Sequence, residues 1–176
     1  MLGICKERSE LVKAMKISIL YFSQTGNTQR MADIVKTGME TVPNVEVRMF
    51  PLDAVDDDFL NESKAVIFGT PTYFANTCWQ LKKWFDESHN YNLGGKLGAV
   101  FATANGLQGG FHTALSTVID HLITKGMLVY SSGTGCGRPY IHLGAVAVKG
   151  HYEQGESLCY IFGQRIAQKA SELFGE

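Results

Sequence analysis

Six residues, Ile17-Ser18-Ile19-Leu20-Tyr21-Phe22, run directly into Ser23-Gln24-Thr25-Gly26-Asn27-Thr28, and no other feature constrains the chain as strongly. The first six read as a buried strand. The next six read as a short hydroxyl- and glycine-rich loop that becomes a helix near Asn27. A helix N-terminus offers unpaired N–H groups and the positive end of its dipole, which together make an anion site. Ser23, Thr25 and Thr28 add hydroxyl donors, and Gly26 lets the backbone close around a phosphate. The loop has no lysine and lacks the Gly-x4-Gly-Lys spacing of nucleotide-hydrolysing loops. The pattern predicts a phosphate that is held, not transferred.

The rest of the chain alternates strand and helix. Met31, Ile34, Val35 and Met39 recur at helical spacing and predict a helix over residues 27–40. Residues 45–50 alternate as an edge strand does. The acidic stretch 53–58 reads as a solvated connection. Residues 64–69 and 96–103 are short apolar runs suited to buried parallel strands. Helices are predicted over 77–88, 109–125 and 154–174, with Trp79, Trp84 and Phe85 as packing residues. A strand is expected over 127–131 and a short one over 146–148. This order implies an α/β domain with a parallel sheet and helices on both faces. In such sheets a ligand sits beyond the carboxyl ends of the strands, and the unusual loops fall there.

A chain of 176 residues, 45% of them hydrophobic, suits one domain with a sizeable core. Met15-Lys16 directly precedes the first strand, so the domain is placed at 15–176 with 1–14 as an N-terminal extension. The net charge of −1 gives no electrostatic ground for nucleic acid or an acidic membrane surface. No apolar run reaches the ~20 residues that span a bilayer. Cys5, Cys78, Cys136 and Cys159 stand far apart, which predicts no metal site, no disulfide framework and a reducing, cytoplasmic setting.

Two more loops carry chemistry. Gly69-Thr70-Pro71-Thr72-Tyr73-Phe74-Ala75-Asn76 combines a stiff turn with aromatic surface on which a planar ring can stack. Thr103-Ala104-Asn105-Gly106-Leu107-Gln108-Gly109-Gly110 suits a flat heterocycle read through backbone groups. Together with the first loop these segments resemble the flavodoxin superfamily, in which Ser-x-Thr-Gly-x-Thr after the first strand is the FMN phosphate loop. The resemblance implies a three-layer sandwich with a five-stranded parallel sheet of order 2-1-3-4-5. It implies FMN on Ser23, Gln24, Thr25, Gly26, Asn27, Thr28, Pro71, Thr72, Tyr73, Phe74, Thr103, Ala104, Asn105, Gly106 and Gly109.

Within that superfamily, Gly69-Thr70-Pro71-Thr72-x-Phe74, Gly95-Lys96-Leu97, Gly126-Met127 and Pro139-Tyr140 look like the NAD(P)H:quinone oxidoreductase branch. That branch implies an FMN enzyme moving two electrons from NADH or NADPH to a quinone. No side chain would then be catalytic, because the chemistry resides on the flavin. Tyr140 and His142 would line a pocket above the ring, and the protein would form a homo-dimer or tetramer. A one-electron carrier and a non-catalytic flavin-binding protein are the alternatives. Against the carrier stand the near-neutral charge and Thr72-Tyr73-Phe74, where carriers tend to place a glycine; these residues resist positive φ.

Overall fold

A computed structural model describes residues 13–175 of the chain. The proposed extension 1–14 therefore falls almost wholly outside the described residues, as does Cys5. The elements are β1 (Met15–Tyr21), α1 (Asn27–Met39), β2 (Val45–Pro51), α2 (Asp57–Glu62), β3 (Ala65–Tyr73), β4 (Asn76–Thr77), α3 (Trp79–Glu87), β5 (Leu97–Ala104), α4 (Phe111–Thr124), β6 (Leu128–Val129), β7 (Val146–Val148) and α5 (Tyr152–Phe174). The sheet runs β2-β1-β3-β5-β6, and these neighbours pair in parallel.

This is the expected order, with one change at its edge. The fifth position is filled by two short strands. β6 pairs with Leu97 and Gly98 at the start of β5, while β7 pairs with Ala102, Thr103 and Ala104 at its end. Between them the chain leaves the sheet over residues 130–145. The Arg165 guanidinium on α5 holds this excursion, donating to the Ser132 hydroxyl and to the carbonyls of Cys136, Arg138 and Pro139 at 2.9–3.2 Å. A five-donor fork suits such a cluster of oxygens.

Side chains alternate across the sheet and make two cores. On one face Ile17, Ile19, Ile67, Ala99 and Phe101 pack against Met31, Val35 and Met39 of α1 and Phe162 and Ile166 of α5. On the other, Leu20, Val66, Phe68, Val100 and Ala102 pack against Leu60, Leu81, Phe85, Leu115 and Val118. Helices α1 and α5 touch backbone to backbone. A Cβ on Gly163 would lie 2.1 Å from the Val35 carbonyl oxygen, and one on Gly38 2.0 Å from that of Tyr160.

The acidic stretch 53–58 is not simply a solvated connection. Asp56 accepts the Phe59 N–H at 3.0 Å and caps α2, with Asp57 and Asp58 in its first turn, where the dipole favours negative charge. Strand β3 also runs further than expected, through Pro71 to Tyr73, and turns back into β4.

Candidate functional site

The carboxyl ends of β1, β3 and β5 bring the three loops to one edge of the sheet. Helix α1 opens on Gly26, at φ 84°, and α4 opens on Gly110, at φ 78°; neither N-terminus has a side-chain cap. Only glycine takes this left-handed backbone cheaply, and it leaves the first N–H groups of α1 free for an anion. Arg30 is the first residue of α1 whose N–H returns to the Gly26 carbonyl, at 2.9 Å.

Three contacts stitch the loops together. The Tyr73 phenol donates to Gln24 Oε1 at 3.0 Å, joining the β3–β4 hairpin to the first loop. Burial, and secondarily the Cys78 thiol nearby, raises the Tyr73 pKa, so this donor keeps its proton. The buried Thr28 and Thr103 hydroxyls meet at 2.9 Å and tie α1 to the end of β5. Gly110 faces Ala75 so closely that a Cβ there would lie 2.5 Å from that of Ala75.

Two buried hydroxyls point at nothing. Ser23 Oγ and Thr72 Oγ1 are shielded from solvent and have no hydrogen-bond partner among the described residues. Buried polar atoms are normally paired, so each marks a place where a polar ligand atom belongs. Gln80 Oε1 is a third such atom. It lines, with Ser23, Phe22, Leu52, Trp79 and Trp84, a cleft of about 670 Å³.

The structure gathers most of the expected residues and corrects two readings, the backbone at Phe74 and the packing of Trp79. Ser23, Gln24, Thr25, Gly26, Asn27, Thr72, Tyr73, Phe74, Asn105, Gly106 and Gly109 lie at this edge, with Pro71 and Ala104 buried beneath it. Thr28 belongs to the edge, but its hydroxyl is engaged inward by Thr103 and not offered to solvent. Of Thr72, Tyr73 and Phe74, the first two keep strand backbone, but Phe74 takes positive φ, at 48°, as does Ala75 after it, at 61°. Thr70 braces this hairpin, accepting the Cys78 N–H at 3.3 Å and meeting the Thr77 hydroxyl at 2.8 Å. Trp79, expected to pack, is 67% exposed, whereas Trp84 and Phe85 do pack, on Phe68.

Tyr140 and His142 belong to a different segment. They lie in the excursion anchored on α5; Tyr140 packs under Arg138, and the His142 carbonyl accepts from Ser131. Among the described residues no hydrogen bond joins either one to the three loops. Glycines alone did not reveal the Gln24–Tyr73 and Thr28–Thr103 links, because each joins residues far apart in sequence.

The profile of the flavodoxin family matches residues 19–145. A protein named flavodoxin from Clostridium saccharobutylicum is 52% identical over 160 residues, covering 91% of this chain and all of its own. A protein named NAD(P)H dehydrogenase (quinone) from Geotalea daltonii is 29% identical over 160 residues, with 74% of each chain covered. Among solved structures, a flavodoxin from the domain Archaea superposes with a TM-score of 0.73 at 26% identity, over 89% of this chain and 99% of its own.

Proposed function

The chain belongs to the flavodoxin family, and from that premise we propose that it binds FMN and serves as a one-electron carrier. The observation that carries this reading is the 52% identity to a flavodoxin along that protein's whole length, against 29% to a quinone dehydrogenase over part of one. The residues present suit the cofactor. The free N–H groups behind Gly26, with Ser23 and Thr25, would hold the phosphate; Ser23 Oγ is the orphaned hydroxyl that such a ligand satisfies. Thr72, with its own orphaned hydroxyl, and Tyr73, Phe74 and the backbone of residues 103–106 would hold the ring system. When bound, FMN supplies storage and release of electrons one at a time.

The protein's part is to position and to insulate. Gly26 keeps the α1 N-terminus open, while the Tyr73–Gln24 and Thr28–Thr103 bonds fix the spacing of the loops. Phe74 and Ala75 hold positive φ, the region that a glycine would supply, so the sequence argument against a carrier loses weight at this turn.

Two-electron transfer from NADH or NADPH to a quinone is the competing reading, supported by the 29% relative and the low charge. One experiment separates them. The FMN-loaded protein is titrated with dithionite and, in parallel, mixed with NADPH or NADH and menadione. A carrier takes up its two electrons in distinct one-electron steps and leaves the nicotinamide unoxidised. A single two-electron step with rapid nicotinamide oxidation would favour the reductase instead.

A further inference from the structure

We propose that the amino end of the sheet, opposite the flavin edge, is a second ligand site, built for a small multiply charged anion of the phosphate class and centred on Lys64 and Lys96. Such a site lies outside the carrier reading and does not depend on it. In the parallel register Ile17 stands beside Ala65, and Ala65 beside Leu97. The residues one step earlier, Lys16, Lys64 and Lys96, are therefore abreast at the amino ends of β1, β3 and β5. Their backbones are joined: the Lys64 N–H donates to the Lys16 carbonyl and the Leu97 N–H to that of Lys64, both at 2.9 Å. Neighbouring strands lie ~4.8 Å apart, and like charges set side by side repel. The seven residues of β1, rising ~3.3 Å each, separate this row from the first loop by about 20 Å.

The cations here outnumber what opposes them. Lys13 and Lys16 share one carboxylate, that of Glu62, at 3.2 and 2.8 Å. Lys96 has none among the described residues. Its half-buried ammonium donates to the carbonyls of Asn61 and Ser63, at 2.7 and 2.5 Å, which leaves one of its three N–H groups. Lys64, exposed beside it, has no hydrogen-bond or ion-pair partner among the described residues. Burial, and then the Lys64 charge, lowers the Lys96 pKa, so the two ammoniums feel each other. All five charged groups border one cavity of about 970 Å³, and Glu62 is the single acid among its lining residues. Residues 1–12 hold two acids and two bases, and Glu176 is one acid, so counting them in still leaves a positive excess. Partly buried charge without a counter-charge is costly, and a concave surface of one sign concentrates ions of the other. An anion between Lys64 and Lys96 answers both charges. The cavity has the volume of a small-molecule site, and the amides of Asn44 and Asn92 on its wall suit the polar remainder of such a ligand.

The test uses the FMN-loaded protein, in which the first loop is occupied, with inorganic pyrophosphate as the probe. Divalent metals are left out, and ionic strength is held constant with sodium chloride. Calorimetric titration should show saturable binding. The amide resonances of residues 61–64 and 94–96 should shift along the same curve, while those of residues 23–28 stay in place. Lys64→Gln should weaken binding roughly tenfold or more, because hydrogen bonds to charged groups are strong, and Lys64→Arg should restore most of it. Without pyrophosphate, Lys64→Gln should leave the melting temperature unchanged or slightly raised, since it removes a repulsion and no bond, which separates lost affinity from lost folding. Lys149→Gln removes the same charge just after β7, at the other end of the sheet, and should change affinity less than about twofold. Absence of saturable binding, equal weakening by Lys64→Gln and Lys149→Gln, or shifts confined to residues 23–28 would each overturn the proposal. If FMN does not load, the carrier reading has failed, and the Lys64→Gln and Lys64→Arg comparison on the flavin-free protein still decides this site.

Discussion

A pair of hydroxyls shares one donated proton and leaves the other free, so the Thr28–Thr103 contact bears on which residues of the first loop answer a phosphate. Thr28 meets Thr103 at 2.9 Å, whereas Ser23 Oγ is unpartnered and Thr25 Oγ1 accepts only from Asn27, at 3.1 Å. Each donor to a charged oxygen contributes ~1.5–3 kcal/mol. Ser23→Ala with Thr25→Val should therefore weaken FMN binding at least tenfold, by roughly 1.4 kcal/mol or more, and leave riboflavin affinity nearly unchanged in fluorescence titrations. Thr28→Val should behave differently. It strands the Thr103 hydroxyl, lowers stability by about 1–3 kcal/mol in urea unfolding, and weakens both ligands alike. An FMN-selective loss in Thr28→Val would show that its hydroxyl turns outward. The loop itself was legible in sequence because strand, glycine and hydroxyls are contiguous. The backbone at Phe74 and Ala75 was not, since neither residue favours positive φ; the turn is imposed by Thr70, Thr77 and Gly110, which act from outside it.

Elements with strong periodicity were legible, and those made by distant contacts were not. Helix α1 and strands β1, β3 and β5 announce themselves through buried apolar runs. Helix α2 is only six residues long, and its one clear signal is the Asp56 cap, easily read as part of an acidic turn. The split of the fifth strand position leaves no local mark either, because the anchor of residues 130–145 is Arg165, far along α5. The pairing of α1 with α5 depends on two glycines for the same kind of nonlocal reason. Gly163→Ala places a methyl group 2.1 Å from the Val35 carbonyl oxygen, with backbone on both sides and no flexible side chain to yield. Such overpacking costs ~1–3 kcal/mol, which should lower the melting temperature by roughly 2–12 °C for a chain of this size. Gly135→Ala, where a Cβ would meet nothing within 4 Å, serves as a control and should shift it far less. Equal shifts would mean that the helices move apart freely.

Over the whole molecule, the formal charge of −1 conceals an uneven distribution: the three loops of the ligand edge carry no charged side chain, and ion pairs sit on the flanks and at the opposite end. Surface pairs of that kind contribute little, so the strongest titration effect on stability is expected on the alkaline side. Burial raises the pKa values of Tyr21, Tyr73, Tyr91 and Tyr130, the last two to about 12. For Tyr91 the hydrogen bond to Asp57, 2.6 Å long, adds to burial. Burial likewise raises the Cys78 thiol above its usual 9, and Cys159 to about 12. These acids are neutral when protonated, and the folded state holds the proton more tightly than the unfolded chain does. Their contribution is therefore complete below the unfolded values of 9 for the thiols and 10 for the phenols, and is lost as pH rises toward about 12. The urea midpoint should stay flat from neutrality to about pH 9 and then fall steeply. Tyr91→Phe should lower the neutral midpoint, because the Asp57 bond is gone, and flatten the alkaline decline, because one titrating group is gone. A decline parallel to the wild type would place the loss in the remaining tyrosines and the thiols, and would show that Tyr91 holds its proton no more tightly in the folded chain than in the unfolded one.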